Sequence, residues 1–511
     1  MTRLQIDSRR VTALAQALGK PSPVTLTATS LAALVDVRDR SQVWLALAVL
    51  TATLPSETTV IETARAALFD PTALAQAVAK HSSRASKRRT VRVEVGRVLV
   101  DVAHTASVPF LTGIQRVVRE TVRRWLRDTE ALPVAWTDHL DAFRDLTPAE
   151  RRATAQGLAG SPDKAQARHA DVVVPWKCRY ILPELAIEPD RIDLTRAFAR
   201  LSGNTVGAIG YDMIPLTTSE TTAPGMPGAF ALTMTALRYA DVIVPISQAS
   251  ADEYQGWVTA LTGAGITGPT ITAVELPQDM GQSEMGQDTG QDADQGTGQT
   301  VGQEAGQNAG HGERPDRFFL GDGPLVLVVG SHEPRKNHSA ILQAAETLWA
   351  QGHQFTLTFV GGRAWGAEKF LDRLAALQQD GRSVQSISQV SDSELAAAYR
   401  AARFTVFPSF NEGYGLPVAE SLDRGTPAIT SNFGSMAGIA AAGGCLLVDP
   451  RNDASVTDAM RQLLTDNALL AKLEQEAAAR PRHTWDQYAA SVWDLLGTLP
   501  NPAHQDVKAE I

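Results

Sequence analysis

The chain has 511 residues, a formal net charge of −9 and 44% hydrophobic residues. That is the composition of a soluble globular protein with room for two or three domains, and its mild acidity argues against a partner such as nucleic acid, which calls for a basic surface. Two cysteines, Cys178 and Cys445, are too few for a disulfide framework or a four-cysteine zinc site, and they suit a reducing compartment.

The opening "MTRLQIDSRR" carries no apolar segment behind its charges, so no secretory signal is expected. Up to about Thr90 the chain is rich in Ala and Leu at three- and four-residue steps, which predicts a small helical unit over residues 1–92. Its apolar run "VWLALAVLTATL" (Val43 to Leu54) is shorter than the roughly 20 residues of a membrane span and reads as a buried helix. The basic stretch Lys80 to Arg92 reads as a solvated linker, with attraction to anionic lipid headgroups as the alternative.

From 93 to 277 short apolar runs alternate with helical patterns. Strands are expected at "RVLVDVA" (Arg97 to Ala103), "DVVVP" (Asp171 to Pro175), "TVGAIG" (Thr205 to Gly210) and "DVIVPIS" (Asp241 to Ser247). After the first of these, a loop with Thr112 and Gly113 leads into "IQRVVRETVRRWL", which has one apolar helical face. Such strands separated by helices predict a parallel sheet covered on both sides. Residues 278–316 repeat Gly-Gln irregularly with almost no large apolar residue, so a disordered linker is expected. The strand–helix alternation resumes over 317–481, with strands at "LVLVVG" (Leu325 to Gly330), "FTLTFVGG" (Phe355 to Gly362) and "FTVFPS" (Phe404 to Ser409). A last helix and polar tail complete 482–511. The expected fold is α/β: two doubly wound, Rossmann-like domains facing across a cleft, with an added N-terminal helical unit.

Ligands of such sheets sit beyond the carboxyl ends of strands. After "FTVFPS" comes "FNEGYGLPVAESLDRG". Pro417 suits a first helical turn and Gly425 a helix end. The backbone amides around Gly415 and Leu416 then form an anion site at a helix N-terminus. Glu420, about one turn in, suits a ribose diol, and Glu412 a hydroxyl-bearing group on the other side of the anion. After "LVLVVG" comes "SHEPRKNHSAILQAA". Arg335 and Lys336 stand before a helix that Asn337 or Ser339 would cap, where cations make sense only if an anion is also present. The pattern fits a ligand with sugar, diphosphate and ribose in series.

The segments "VVGSHEPRKN", "PSFNEGYGLPVAES" and "VDPRND" together resemble the retaining glycosyltransferases of family 4, which have the GT-B fold. "TGIQRVVRE" and "YDMIP" (Tyr211 to Pro215) look like the acceptor-side half of bacterial polysaccharide members. The resemblance runs from about Arg97 to Leu496 and leaves out the first 90 residues. It implies that Lys336 and Arg335 hold the donor diphosphate and that Glu420 binds the ribose. It implies that Glu412 contacts the transferred sugar and that Gly413, Tyr414, Gly415 and Leu416 offer backbone groups. The base would lie along "QVSD", at the backbone of Val390. Gly113, with Thr112 before it, would start a helix on the acceptor side. Ser331 stands where many relatives have an arginine, and Asp212 is taken as the substitute for a histidine that many relatives point at the donor sugar.

The reaction so implied moves a hexose from a nucleotide-diphosphate sugar, GDP-mannose favoured, to a glycan or lipid-linked acceptor with retention, in surface polysaccharide biosynthesis. dTDP-rhamnose and UDP-sugars are the alternative donors. No cofactor or metal is expected: no strand end carries two carboxylates flanking one residue, and Asp292-Ala-Asp294, which has that spacing, lies in the Gly-Gln tract. The catalytic candidates are Glu412, Lys336 and Asp212. A cytoplasmic location is expected, with the inner membrane face as a peripheral alternative. Other classes considered are a glycan- or nucleotide-sugar-binding protein on a degenerate scaffold, and a phosphorylase or epimerase of the same fold. No strand leads into a G-x-G-x-x-G loop, which disfavours an NAD enzyme.

Overall fold

The structure is a computed structural model that describes residues 6–25, 27–107, 113–157, 164–277 and 316–500. The predicted Gly-Gln linker falls outside the described residues except at its last position, Asp316, and so do Thr112 and the Asp292-Ala-Asp294 pair. The contacts divide the chain into two compact units. The first comprises Met1–Pro277, Asn411–Tyr414 and His483–Ile511; the second comprises Gln278–Phe410 and Gly415–Arg482.

The first unit holds nine strands: β1 (Val91–Val95), β2 (Val98–Asp101), β3 (Leu132–Trp136), β4 (Phe143–Asp145), β5 (Val172–Trp176), β6 (Arg179–Leu182), β7 (Thr205–Gly210), β8 (Val242–Pro245) and β9 (Thr270–Ile271). Their order is β1-β5-β4-β3-β2-β6-β7-β8-β9. Pairing is parallel except at β4, which runs antiparallel to both β3 and β5. A full set of helices precedes the sheet: Ser8–Ala17, Ala28–Leu34, Arg40–Thr51, Glu57–Ala67 and Ala73–His81. Helix Arg40–Thr51 opens on Asp39, whose side chain accepts from the Ser41 amide, and it buries every residue from Val43 to Thr51. The apolar run is therefore a core helix, as its length predicted. Among the described residues no helix is long and apolar enough to cross a membrane.

These helices share the core of the sheet. Trp44 packs edge-on against Phe198 at 5.5 Å, and Phe198 meets Tyr180 at 5.1 Å. The basic stretch Lys80 to Arg92 runs from the end of the helix Ala73–His81 through a 3-10 turn at Ser86–Arg88 into β1, with Lys80, Arg84, Lys87 and Arg88 exposed as a solvated connection requires. The buried Arg10 guanidinium donates to the carbonyls of Leu50, Ser86 and Arg89 at 3.0, 2.6 and 2.6 Å. Strand β1 then begins at Val91 and pairs with β5, so the predicted division at 92/93 falls inside a strand. At the other end, Trp125 on the helix Gly113–Asp128 donates its indole N–H to the Ala489 carbonyl at 2.8 Å. This fastens the helix Trp485–Leu496 into the same unit.

The second unit has six strands, all parallel: β10 (Leu325–Val329), β11 (Thr356–Val360), β12 (Val384–Ile387), β13 (Ala402–Phe407), β14 (Ala428–Ser431) and β15 (Cys445–Val448), in the order β12-β11-β10-β13-β14-β15. Side chains alternate along β10: Val326 and Val328 enter one apolar cluster, Leu325 and Leu327 another. Burial of alternate residues in separate clusters is the mark of a sheet covered on both faces. The chain leaves β10 toward β11 and β12, then returns to the other side of β10 at β13. The order therefore reverses between β10 and β13, and a ligand crevice is expected beyond their carboxyl ends.

Candidate active site

The loop after β10 and the loop after β13 meet at this reversal. Gly330, just past β10, takes φ 147°, a value that favours glycine. It accepts a close crossing of the β11 loop: a Cβ built on Gly361 would lie 2.0 Å from the Gly330 carbonyl oxygen. The amides of Gly330 and His332 donate to Val360 and Gly362 at 2.9 and 3.0 Å. The next residues, Pro334–Lys336, form a 3-10 turn before the helix His338–Ala350. Asn337 does not cap that helix through its side chain as expected. It sits in the left-handed region at φ 57°, and its amide donates to the Pro450 carbonyl at 2.9 Å. A left-handed turn cannot aim that side chain at the helix amides, so it braces the loop instead.

The basic loop is joined to the second loop through one backbone oxygen. The Arg335 carbonyl accepts from the Phe410 amide at 2.9 Å and from the Ser409 hydroxyl at 3.1 Å. Ser409 in turn offers its carbonyl to the Ser431 hydroxyl at 2.5 Å. The Lys336 ammonium lies 5.0 Å from the ring centre of Phe407, the last residue of β13, a cation–π distance. Arg335 reaches Glu333 at 3.1 Å, and the other oxygen of Glu333 accepts from the Ser331 hydroxyl at 2.6 Å. Glu333 was not singled out from the sequence. The question that would have found it is which acid holds an arginine in a loop that presents it to solvent.

The helix Leu416–Asp423 begins as predicted, with Pro417 in its first turn and Gly415 at its N-cap in the left-handed region, φ 111°. Gly415 has no side chain with which to cap it, so its first amides need partners from elsewhere. Gly425, φ 78°, follows its end. Glu420 is buried, 7% exposed, and accepts from the Tyr399 hydroxyl at 3.0 Å. Tyr399 is a second residue the sequence reading missed; its signal was only an aromatic on the buried side of the helix Asp392–Ala401. Val390 is half-buried in the loop before that helix, beside Ser391, whose side chain caps it.

Lys336, Arg335, Ser331, Leu416 and Glu420 thus share the carboxyl edge of one sheet at adjacent strands. Val390 and Gly415 belong to the same unit, whereas Glu412, Gly413, Tyr414, Asp212 and Gly113 belong to the first unit. Gly413 offers its carbonyl to the hydroxyls of Ser247 and Ser250 at 2.6 and 3.1 Å. Tyr414 is buried, and its hydroxyl donates to the Leu276 carbonyl at 2.7 Å. Glu412 is half-buried. Asp212, also half-buried, follows β7 and accepts from the Ile214 amide at 3.2 Å. A Cβ on Gly413 would lie 2.8 Å from its other oxygen. Asp212 therefore caps a turn and packs closely against Gly413. Gly113 begins the helix Gly113–Asp128, as expected.

Residues 313–480 match the family model described as Glycosyl transferases group 1. The chain is 25% identical over 368 residues to a serotype-specific mannosyltransferase, WbdA, of Escherichia coli, an alignment covering 70% of this chain and 39% of that protein. It is 32% identical over 144 residues to the O-antigen chain mannosyltransferase B of Escherichia coli, covering 28% of this chain and 37% of that one. The chain thus spans about two fifths of the length of these curated relatives. Among solved structures it is similar to Anabaena HepE in complex with UDP and glucose, with a TM-score of 0.50 and 12% identity, over 80% of this chain and all of that one. That likeness shows the fold: two Rossmann-like α/β units of the GT-B class.

Proposed function

We propose that this chain, which carries a group 1 glycosyltransferase domain over residues 313–480, transfers a hexose from a nucleotide-diphosphate sugar to a glycan or lipid-linked acceptor. The observation that carries the reading is the joining of the Lys336 loop to the loop after β13, beside a helix N-terminus whose N-cap residue is Gly415. Cleaving a sugar–nucleotide bond leaves negative charge on the diphosphate. Lys336, Arg335 and the amides at Gly415 and Leu416 are aimed beforehand at that charge, which lowers the cost of forming it. Glu420, steadied by Tyr399, takes the ribose diol, and Val390 lies along the base. Glu412, between that loop and that helix, is assigned to the transferred hexose.

The mannosyltransferase relatives favour GDP-mannose as donor; the UDP bound by HepE keeps a UDP-sugar as the second reading. Retention of configuration, family 4 membership and metal independence complete the proposal. The cations of the basic loop supply the charge a metal would otherwise bring, so transfer is expected to continue in excess chelator. The names of the mannosyltransferase relatives support a role in surface polysaccharide synthesis, and a cytoplasmic location is part of the proposal.

A thermal-shift panel of nucleotide sugars tests the donor assignment. A donor at about a hundred times its Kd stabilises the fold by about 2.7 kcal/mol, so the correct one stands out as a raised Tm. Lys336→Ala should erase that rise without lowering the unliganded Tm. An unchanged rise in the variant removes the diphosphate assignment, and no rise with any nucleotide sugar removes the function.

A further inference from the structure

We propose that Glu333 is a tethered competitor for the donor diphosphate and so sets which phosphorylated ligands the site accepts; this rests on the donor reading above. Its carboxylate engages two groups at once, the Ser331 hydroxyl at 2.6 Å and the Arg335 guanidinium at 3.1 Å. These are hydrogen-bond donors in the loop assigned to the diphosphate. A carboxylate and a phosphate oxygen make the same demand on an arginine fork, so the two compete for it directly.

The tether is short and stiff. Pro334 follows Glu333 and fixes the backbone between acid and arginine, and the Glu333 amide donates back to the Ser331 carbonyl at 2.8 Å. The acid is therefore present at high local concentration beside both donors. It is also releasable. The side chains of Glu333 and Arg335 are 24% and 15% exposed, so the carboxylate can turn into water at small desolvation cost. The pair Arg144–Glu150 in the first unit, 7% and 0% exposed, has no such exit. A ligand with several negative charges, a nucleoside diphosphate, displaces the acid. A monophosphate or inorganic phosphate brings less charge and competes poorly. Glu333 thus raises the threshold for anions that lack a second phosphate.

Calorimetric titration of GDP, UDP and dTDP, with the matching monophosphates, into wild type, Glu333→Gln, Arg335→Gln and the double variant tests this. Removing a partly exposed ion-pair partner is worth up to about 1 kcal/mol, or about fivefold in affinity. Glu333→Gln should tighten the preferred nucleoside diphosphate by about that factor. It should tighten the monophosphate more, narrowing the ratio between them. In the Arg335→Gln background the same change should give no gain. An equal gain in both backgrounds means general charge repulsion and overturns the proposal. Weaker binding by Glu333→Gln means that the acid orients Arg335 for the ligand, and overturns it too. Failure of every nucleoside diphosphate to bind wild type overturns the donor reading itself, a result separate from either. Glu333→Ala, with no acceptor at all, should reproduce the gain, and melting curves confirm that the variants fold.

Discussion

Gly361 makes the case for single residues. Its missing side chain lets the loop after β11 cross the loop after β10 in backbone contact. An added methyl has no flexible neighbour to push aside, only the Gly330 carbonyl. Gly361→Ala should therefore destabilise the fold by about 1–3 kcal/mol, the usual cost of overpacking, read as a lower denaturant midpoint at unchanged m. His332, two residues past Gly330, gives a second prediction. Burial holds its imidazole below its ordinary value of 6.5, and its ring packs against His338 and Phe370, with Nε2 on the Ser386 hydroxyl at 2.9 Å. A depressed histidine is neutral in the folded chain while the unfolded chain takes up a proton below pH 6.5. Its contribution is thus present above that pH and is lost as pH falls through it. His332→Phe should show a smaller fall in Tm between pH 7.5 and 5.5 than wild type. Neither residue was legible beforehand. A glycine in "FVGG" marks a turn, but what crosses it depends on a strand thirty residues away.

At the scale of elements, legibility followed continuous apolar runs rather than burial: β3 and β14 are wholly buried, yet neither was read. Strands β2, β5, β7, β8, β10, β11 and β13 were read from continuous apolar runs. The strands overlooked were short or mixed, such as β4 "FRD" and β12 "VQSI". Such strands are held by pairing and by side-chain anchors rather than by their own hydrophobicity. In β4 the anchor is Arg144, which grips the buried Glu150 with two bonds of 2.8 Å. The reversal of order between β10 and β13 was likewise absent from any local pattern, although both loops it joins were read from their residues. A buried network plays the joining role in the first unit. Asp101 at the end of β2 accepts from Trp136 at 2.7 Å and from Arg191 at 3.0 Å. Arg191 also donates to Glu184 at 3.0 Å, and Glu184 accepts from the amides of His104 and Thr105. Burial pushes the Glu184 carboxyl up, and Arg191 beside it opposes that rise. Arg191→Met would leave two carboxylates in the core without their cation. It should cost about 3–5 kcal/mol, as breaking a buried ion pair does, measured by urea denaturation, and the loss should shrink at acid pH as Glu184, whose carboxyl burial pushes up, protonates.

The whole molecule is two Rossmann-like units whose class was readable because each repeats strand and helix with apolar strands. The sequence set residues 482–511 apart as a closing helix and tail, and no local pattern tied them to the start of the chain. The tie is made by Trp125 and Trp493, whose rings lie 5.5 Å apart. Contacts spanning more than three hundred residues leave no periodicity to read. In the second unit, one sheet edge is proposed to grip a diphosphate between the Lys336 loop and the tip of the helix Leu416–Asp423. A crystal structure with a bound nucleoside diphosphate tests it most directly. The account predicts phosphate oxygens within hydrogen-bond distance of the Lys336 Nζ and the Leu416 amide, with the ribose diol on Glu420. A diphosphate bound out of reach of Lys336, on any other edge of the sheet, would contradict it.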